Sequence, residues 1–95
     1  MPEMRFDIEW PDGSRESCYS PSLVIKDYFA PGQIYGLAEF LQLSRTALTI
    51  ASARVQQKFG FPCSRALGQL ARIEAAAARF SEAGGPVSIL SFHDL

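Results

Sequence analysis

An alternation of apolar and charged residues near the start of the chain constrains the fold more than any other feature. Met4, Phe6, Ile8 and Trp10 are separated by single charged residues, which is the period-2 pattern of a β-strand with one buried face. The sequence Pro-Asp-Gly-Ser follows at residues 11–14, and it is strong turn chemistry. We therefore predict a β-hairpin whose second strand covers about residues 15–19.

Two helices are predicted next. The sequence Ser-Pro-Ser at residues 20–22 is typical of a helix start and predicts a short helix over about 21–28. A long helix should run from residue 36 or 37 to Phe59, because apolar residues recur there at spacings of three and four. Gly60 then occupies the expected C-terminal cap position, and Pro62 prevents continuation.

A third helix is predicted from residue 63 or 64 to Phe80, again from its apolar stripe. The brief connection predicts that it packs against the long helix as an antiparallel hairpin. Both helices are rich in small residues, which allow helix axes to approach. Close packing would explain Gly68, because glycine inside a helix costs up to about 1 kcal/mol relative to alanine.

Residues 84–86, Gly-Gly-Pro, end the helical part, and the apolar residues between Val87 and Phe92 predict a final strand. The expected fold is α+β, in a single domain spanning residues 1–95. We predict a three-stranded antiparallel sheet, formed by the N-terminal hairpin and the C-terminal strand. A short helix and a long antiparallel helical hairpin should cover one of its faces.

Composition favours a globular protein of the cytoplasm. Hydrophobic residues make up 47% of the chain and charged residues 20%, as in ordinary folded domains. No run approaches the roughly 18–20 apolar residues of a membrane span, and the first residues lack the apolar stretch of a secretory signal. Cys18 and Cys63 are too few for a disulfide scaffold, and we interpret them as reduced thiols.

Charge is unevenly distributed along the chain. All five charged residues between Phe40 and Ile73 are basic. A solvated helix face is the simplest explanation, and an acidic partner or an anionic ligand is the functional alternative. Spacings of four and seven place these residues in pairs on common helix faces. The candidate partner-binding residues are Arg54, Lys58, Arg65 and Arg72.

Enzymatic interpretations find little support in the sequence. His93 is the only histidine, and its place near the chain end makes it a poor catalytic base. Cys18, Cys63, His93 and Asp94 could in principle converge on a metal, but they lack the spacing of known metal motifs. The common nucleotide-binding motifs are absent as well. We expect no catalytic residue, no cofactor and no metal site.

Two other functions stay open. Cys63 lies at a predicted helix start close to Arg65, where the helix dipole favours a thiolate. It is therefore the candidate reactive thiol of a thiol-dependent enzyme or carrier, although burial beside Phe59 or Phe61 is the interpretation we favour. A regulator that binds nucleic acid through the basic stretch is the other alternative, against which the isoelectric point of about 5.7 argues.

Several stretches together resemble a known family over essentially the whole chain. They are residues 1–6 (Met-Pro-Glu-Met-Arg-Phe), 10–13 (Trp-Pro-Asp-Gly), 18–22 (Cys-Tyr-Ser-Pro-Ser) and 60–64 (Gly-Phe-Pro-Cys-Ser). The chain resembles the small bacterial nitrogen-starvation-response proteins that are encoded beside a nitrilase. None of these motifs is catalytic, so the resemblance indicates a family and not a reaction.

The resemblance implies a pathway context. Members of that family occur in a gene cluster with a nitrilase, a radical-SAM protein, an acetyltransferase and a flavin-dependent oxidoreductase, linked to the use of nitriles or cyanide as nitrogen sources. An accessory, non-catalytic protein is therefore expected. Its partner would be the nitrilase, the radical-SAM protein or a second copy of the chain in a homodimer, with neither nucleic acid nor a membrane as the expected partner.

Overall fold

The computed structural model describes residues 3–82 and 84–94. It shows four strands and three helices in this part of the chain. In chain order, the elements are β1 (Met4–Glu9), β2 (Arg15–Ser20), α1 (Ile25–Tyr28), β3 (Ile34–Gly36), α2 (Leu37–Phe59), α3 (Ser64–Ala78) and β4 (Pro86–Asp94).

The strands form one antiparallel sheet in the order β2-β1-β4-β3. The predicted hairpin is confirmed, with Phe6 opposite Cys18 in the register of β1 and β2. The C-terminal strand lies on the other side of β1, where Phe6 is opposite Phe92. The fold is therefore α+β as expected, with β1 and the final strand at the centre of the sheet.

The prediction of three strands was wrong, because β3 adds a fourth. Its three residues pair with the start of β4, with Ile34 opposite Ser88 and Gly36 opposite Pro86. A strand of three residues is too short to show an alternation of apolar and polar residues. It also follows closely on Pro31 and Gly32, which indicate a break in structure rather than a strand.

The helical hairpin is present. Helix α2 ends at Phe59, and Gly60 follows with φ 85°, a left-handed conformation that glycine adopts without strain. Arg45 of α2 forms an ion pair with Glu74 of α3. Both residues lie far from the loop that connects the helices, so the two helices are antiparallel. Helix α1 begins at Ile25, four residues later than predicted.

The core lies between the sheet and the helices. Alternate residues of β1 contribute fully buried side chains, and α2 and α3 supply the opposing layer. The largest apolar side chains that are fully buried are those of Met4, Phe6, Ile8, Ile25, Phe40, Leu48, Ile73 and Ile89. No helix among the described residues has the length and hydropathy that crossing a membrane requires.

Candidate functional site

Three arginines meet in a surface pocket between the β2 side of the sheet and helix α3. The pocket has a volume of about 420 Å³. Its lining residues carry no carboxylate, and we call it the arginine pocket. These residues are Arg5, Ser17, Tyr19, Ser64, Arg65, Gly68, Gln69 and Arg72.

The strand side of the arginine pocket follows from the register of the hairpin. Arg5 of β1 is directly opposite Tyr19 of β2. Ser17 lies two residues earlier on β2 and therefore on the same face of the sheet. Because Phe6 and Cys18 point into the core, these three side chains belong to the opposite face.

The helix side of the arginine pocket is one face of α3. Arg65, Gly68, Gln69 and Arg72 are spaced by three, four and seven residues, which places them above one another. Cys63, the residue that precedes the helix, makes no side-chain capping hydrogen bond, and the first turn of α3 contains no acid. The partial positive charge of the helix N-terminus therefore adds to that of the guanidinium groups.

Gln69 joins the helix to the edge of the sheet. Its Oε1 accepts a hydrogen bond from the Tyr19 backbone N–H at 3.0 Å and another from Arg72 Nη2 at 3.2 Å. The side chain is 2% exposed, and its Nε2 has no hydrogen-bond partner among the described residues. This nitrogen is buried, so Gln69 contributes to the pocket by positioning Arg72 and not by donating to an occupant.

Arg65 is held against the ring of Tyr19. Its guanidinium carbon lies 3.9 Å from the ring centre, a cation–π contact. The Tyr19 hydroxyl donates a hydrogen bond to Glu3 Oε1 at 3.0 Å, and Arg65 Nη1 lies 3.9 Å from the same oxygen. Burial, together with the Glu3 carboxylate, raises the pKa of Tyr19 to about 12. The phenol therefore stays neutral and acts as a donor.

The positive charge of the arginine pocket is incompletely balanced. Glu3 is the carboxylate near Arg65. Within residues 3–82 and 84–94, no carboxylate oxygen lies within 4.0 Å of the guanidinium nitrogens of Arg5 or Arg72. In this part of the chain, Arg5 and Arg72 therefore have no carboxylate partner, and guanidinium groups form paired hydrogen bonds with carboxylates and phosphates.

Gly68 leaves room at the floor of the arginine pocket. A Cβ atom built on this residue would meet one atom within 4 Å, Arg72 Nη1 at 3.8 Å. The interpretation that close helix packing requires this glycine is therefore wrong, since no atom of α2 lies within that distance. Glycine lowers the stability of a helix. What Gly68 provides in return is unfilled space beside Arg72.

The four candidate partner-binding residues separate into two groups. Arg65 and Arg72 lie in the arginine pocket, whereas Arg54 donates a hydrogen bond to Ser22 Oγ at 3.2 Å. Lys58 Nζ lies 5.6 Å from the ring centre of its neighbour Phe59. Neither Arg54 nor Lys58 lines the pocket.

Sequence reasoning missed Arg5. It belongs to the charged set that alternates with the apolar residues of β1, and that pattern shows only that it lies away from the core. Arg5 lies near Arg65 and Arg72 only because α3 packs along the edge of β2. Nothing local in the sequence carries that information.

The two cysteines are free and differ in environment. Cys18 is buried in the core, and burial raises the pKa of its thiol well above the usual value. Cys63 is half-buried, and its backbone N–H donates a hydrogen bond to Ser52 Oγ at 3.1 Å. Cys18 is therefore an inert core residue.

His93 does not form a catalytic triad. Its Nε2 lies 2.9 Å from Asp7 Oδ2 and 3.1 Å from Ser91 Oγ, whereas a triad histidine uses its two nitrogens for the two partners. Burial disfavours the Asp7 carboxylate, but hydrogen bonds from Ser17, His93 and Ser91 outweigh it and hold the Asp7 pKa below its ordinary value. In the part of the chain that the structure describes, no three metal-ligating side chains come together.

Comparison with known proteins gives one match. A family model described as nitrogen starvation-induced protein NitG matches residues 5–92. No curated protein and no solved structure matches the chain significantly. Since the match to the family model covers nearly the whole chain, the protein belongs to the NitG family of nitrogen starvation-induced proteins.

Proposed function

We propose that this protein is a non-catalytic accessory protein of the nitrogen-starvation response that binds an anionic group of a protein partner in the arginine pocket. The observation that carries the proposal is the convergence of Arg5, Arg65 and Arg72 in a pocket without a lining carboxylate. We propose the cytoplasm as its location, in keeping with two free cysteines.

The chemistry of the lining favours binding over catalysis. The pocket offers guanidinium and hydroxyl groups, which are hydrogen-bond donors suited to carboxylate or phosphate oxygens. It contains no histidine, lysine, cysteine or carboxylate, so Ser17 and Ser64 lack the lining base that would activate a hydroxyl nucleophile. A site of this composition holds an anion without transforming it.

The resemblance supplies the candidate partners. We propose that the partner is a protein of the same nitrile- or cyanide-assimilation gene cluster, namely the nitrilase or the radical-SAM protein. A homodimer formed through the helical face is the other arrangement. Three large exposed hydrophobic residues near the loop between α2 and α3 support an interface there, and they are Phe59, Phe61 and Leu67.

Affinity capture from nitrogen-starved cells tests the proposal. Three tagged proteins are compared: the wild type, the double variant Arg5→Gln/Arg72→Gln, and Arg45→Gln as a control. Arg45 is a matched arginine because it lies outside the pocket in an exposed ion pair with Glu74, where its loss costs less than about 1 kcal/mol.

We expect the wild type and the control to recover one partner in stoichiometric amount, as read by mass spectrometry, and the double variant to lose it. Recovery that survives in the double variant would contradict binding through the arginine pocket. Sedimentation shows whether a captured second copy of the chain reflects a homodimer.

A thiol function of Cys63 is the second candidate. Cys63 lies immediately before α3 and is half-buried, close to Arg65 of the pocket. Alkylation at neutral pH distinguishes the two functions. Rapid labelling of Cys63 in the folded protein supports a thiol-dependent role, and labelling only after denaturation contradicts it.

A further inference from the structure

A second hollow adjoins the arginine pocket and differs from it in chemistry. It has a volume of about 240 Å³, and its walls include the apolar residues Pro21, Val55 and Phe59. Tyr19 and Arg65 line both hollows. We call this second hollow the apolar groove.

Exposed aromatic side chains lie in the apolar groove and in the loop that follows α2. Phe59, the last residue of α2, is 54% exposed, and Phe61 in the following loop is 63% exposed. Single exposed hydrophobic residues are common on proteins, but grouped ones mark interaction sites. Here Phe59 shares the groove with Arg65, which also lines the arginine pocket.

The wall between the two hollows has a fixed geometry. The Tyr19 ring is held by the guanidinium of Arg65 at 3.9 Å and by a hydrogen bond from its hydroxyl to Glu3 at 3.0 Å. Tyr19 itself is 4% exposed. A partner that enters both hollows therefore meets them at a set spacing, which lowers the entropic cost of binding.

We infer that the arginine pocket and the apolar groove form one site for an acidic segment of a partner protein that carries an apolar side chain beside its carboxylates. The inference rests on the proposed function and adds the chemistry of the partner. The carboxylates bind Arg5 and Arg72, and the apolar side chain packs on Phe59.

The shallow shape of both hollows favours a protein segment over a small molecule. Sites for small molecules enclose most of the ligand surface, whereas both hollows are about half open to solvent. Charge argues against nucleic acid and against an anionic membrane. The chain has a net charge of −1, which disfavours polyanions that extend beyond a local pocket. Glu3 lines the apolar groove, so the carboxylates of the segment belong in the arginine pocket and its apolar side chain in the groove.

Three labelled peptides test the inference by fluorescence anisotropy. The first contains a run of glutamates in a glycine-serine background, and the second has the same run followed by Phe-Leu. The third keeps Phe-Leu and replaces every glutamate by glutamine. The proteins are the wild type, Arg5→Gln/Arg72→Gln, Phe59→Ser, and Ile34→Ser as a control, since Ile34 is a similarly exposed hydrophobic residue at the opposite edge of the sheet.

The wild type should bind the second peptide about tenfold tighter than the first, because burial of the apolar side chain adds to the ionic contacts. Phe59→Ser should remove that difference and leave the affinity for the first peptide unchanged, whereas Ile34→Ser changes neither. The arginine double variant should lose both acidic peptides, and the glutamine peptide should not bind.

Equal affinity for the two acidic peptides, with no effect of Phe59→Ser, would overturn the inference and leave anion binding in the arginine pocket intact. Binding of inorganic pyrophosphate without binding of either acidic peptide would also overturn it, in favour of a small ligand. If neither pyrophosphate nor any peptide binds, the proposed function fails as well. A change in sedimentation on Phe59→Ser would overturn it in another way, by showing that a second copy of the chain occupies the groove.

Discussion

Among single residues, Gly68 shows how space for a ligand competes with the stability of a helix. It lies inside α3, and the atom nearest to a methyl group added at this position would be Arg72 Nη1 at ordinary contact distance, 3.8 Å. An alanine at this position would therefore fit without strain. It would also reduce the space beside Arg72 in the arginine pocket.

The substitution Gly68→Ala should separate the two effects. We expect the free energy of unfolding to rise by up to about 1 kcal/mol, because alanine favours the helix, while the affinity for inorganic pyrophosphate falls. Urea unfolding and calorimetric titration measure the two quantities. A variant that is more stable and binds pyrophosphate as well as the wild type would contradict the assigned role of Gly68.

Tyr19 gives the arginine pocket a measurable pH signature. Its pKa is raised in the folded protein, so the folded state holds the phenol proton more tightly than the unfolded state does. The resulting stabilisation is fully present below the ordinary tyrosine value near 10 and is lost as the pH rises through about 12.

Phenolate absorbance across this pH range should therefore show a late component from Tyr19, with a pKa of about 12. Tyr19→Phe should remove that component. Glu3→Gln should lower its pKa, because the nearby negative charge is gone. If the late component persists in Tyr19→Phe, the assignment of the raised pKa to Tyr19 is incorrect.

Single residues also show how far the sequence predicts the site. Arg65 and Arg72 were identified as a pair because their spacing of seven residues is readable on one helix. Arg54 and Lys58 have an equally clear spacing, yet α2 places them away from the arginine pocket. Helical spacing identifies the residues that share a face, and tertiary packing decides which face borders a pocket.

At the scale of elements, the junction between α3 and β2 builds the arginine pocket. An edge strand presents unpaired backbone groups, and here Gln69 accepts the Tyr19 N–H at 3.0 Å. The same oxygen accepts a hydrogen bond from Arg72. One buried side chain thus fixes the helix on the strand and orients an arginine of the site.

Two substitutions of Gln69 test this junction. Gln69→Glu keeps an oxygen acceptor for the Tyr19 N–H, whereas Gln69→Leu leaves that buried group without one. The glutamate also places a carboxylate oxygen where the buried amide nitrogen was, and Arg72, which already donates to this side chain, compensates its charge. The leucine variant should be less stable than the glutamate variant by about 1–3 kcal/mol in urea unfolding at neutral pH.

Pyrophosphate binding should respond to Gln69→Glu in a different way. The new carboxylate would pair with Arg72 and reduce the positive charge of the pocket, so affinity should fall although the strand contact is kept. Equal stability of the two variants would show that the Gln69 hydrogen bond does not hold α3 on β2.

Elements differ in how well the sequence predicts them. The hairpin, α2, α3 and β4 were predicted because each has a sustained period or a clear turn or cap, such as Gly60 after α2. The strand β3 was missed because its three residues are held by pairing with β4 and not by a pattern of their own. Helix α1 was predicted too long because Ser20 and Ser22 form a hydrogen-bonded turn ahead of it.

At the scale of the whole molecule, local charge and net charge differ in sign. The chain carries a net charge of −1, yet the arginine pocket concentrates three guanidinium groups on one surface. A local positive field on an acidic protein attracts a specific anion without general attraction to polyanions. Binding in the pocket should weaken as salt concentration rises, since exposed charges are screened.

The most direct test of anion binding in the arginine pocket is a nuclear magnetic resonance titration of the ¹⁵N-labelled protein with inorganic pyrophosphate at low salt. We predict saturable shifts of the arginine side-chain N–H signals of Arg5, Arg65 and Arg72. The shifts should vanish in Arg5→Gln/Arg72→Gln and persist in Arg45→Gln. Shifts that do not saturate, or that centre on Arg54 and Lys58, would contradict the account.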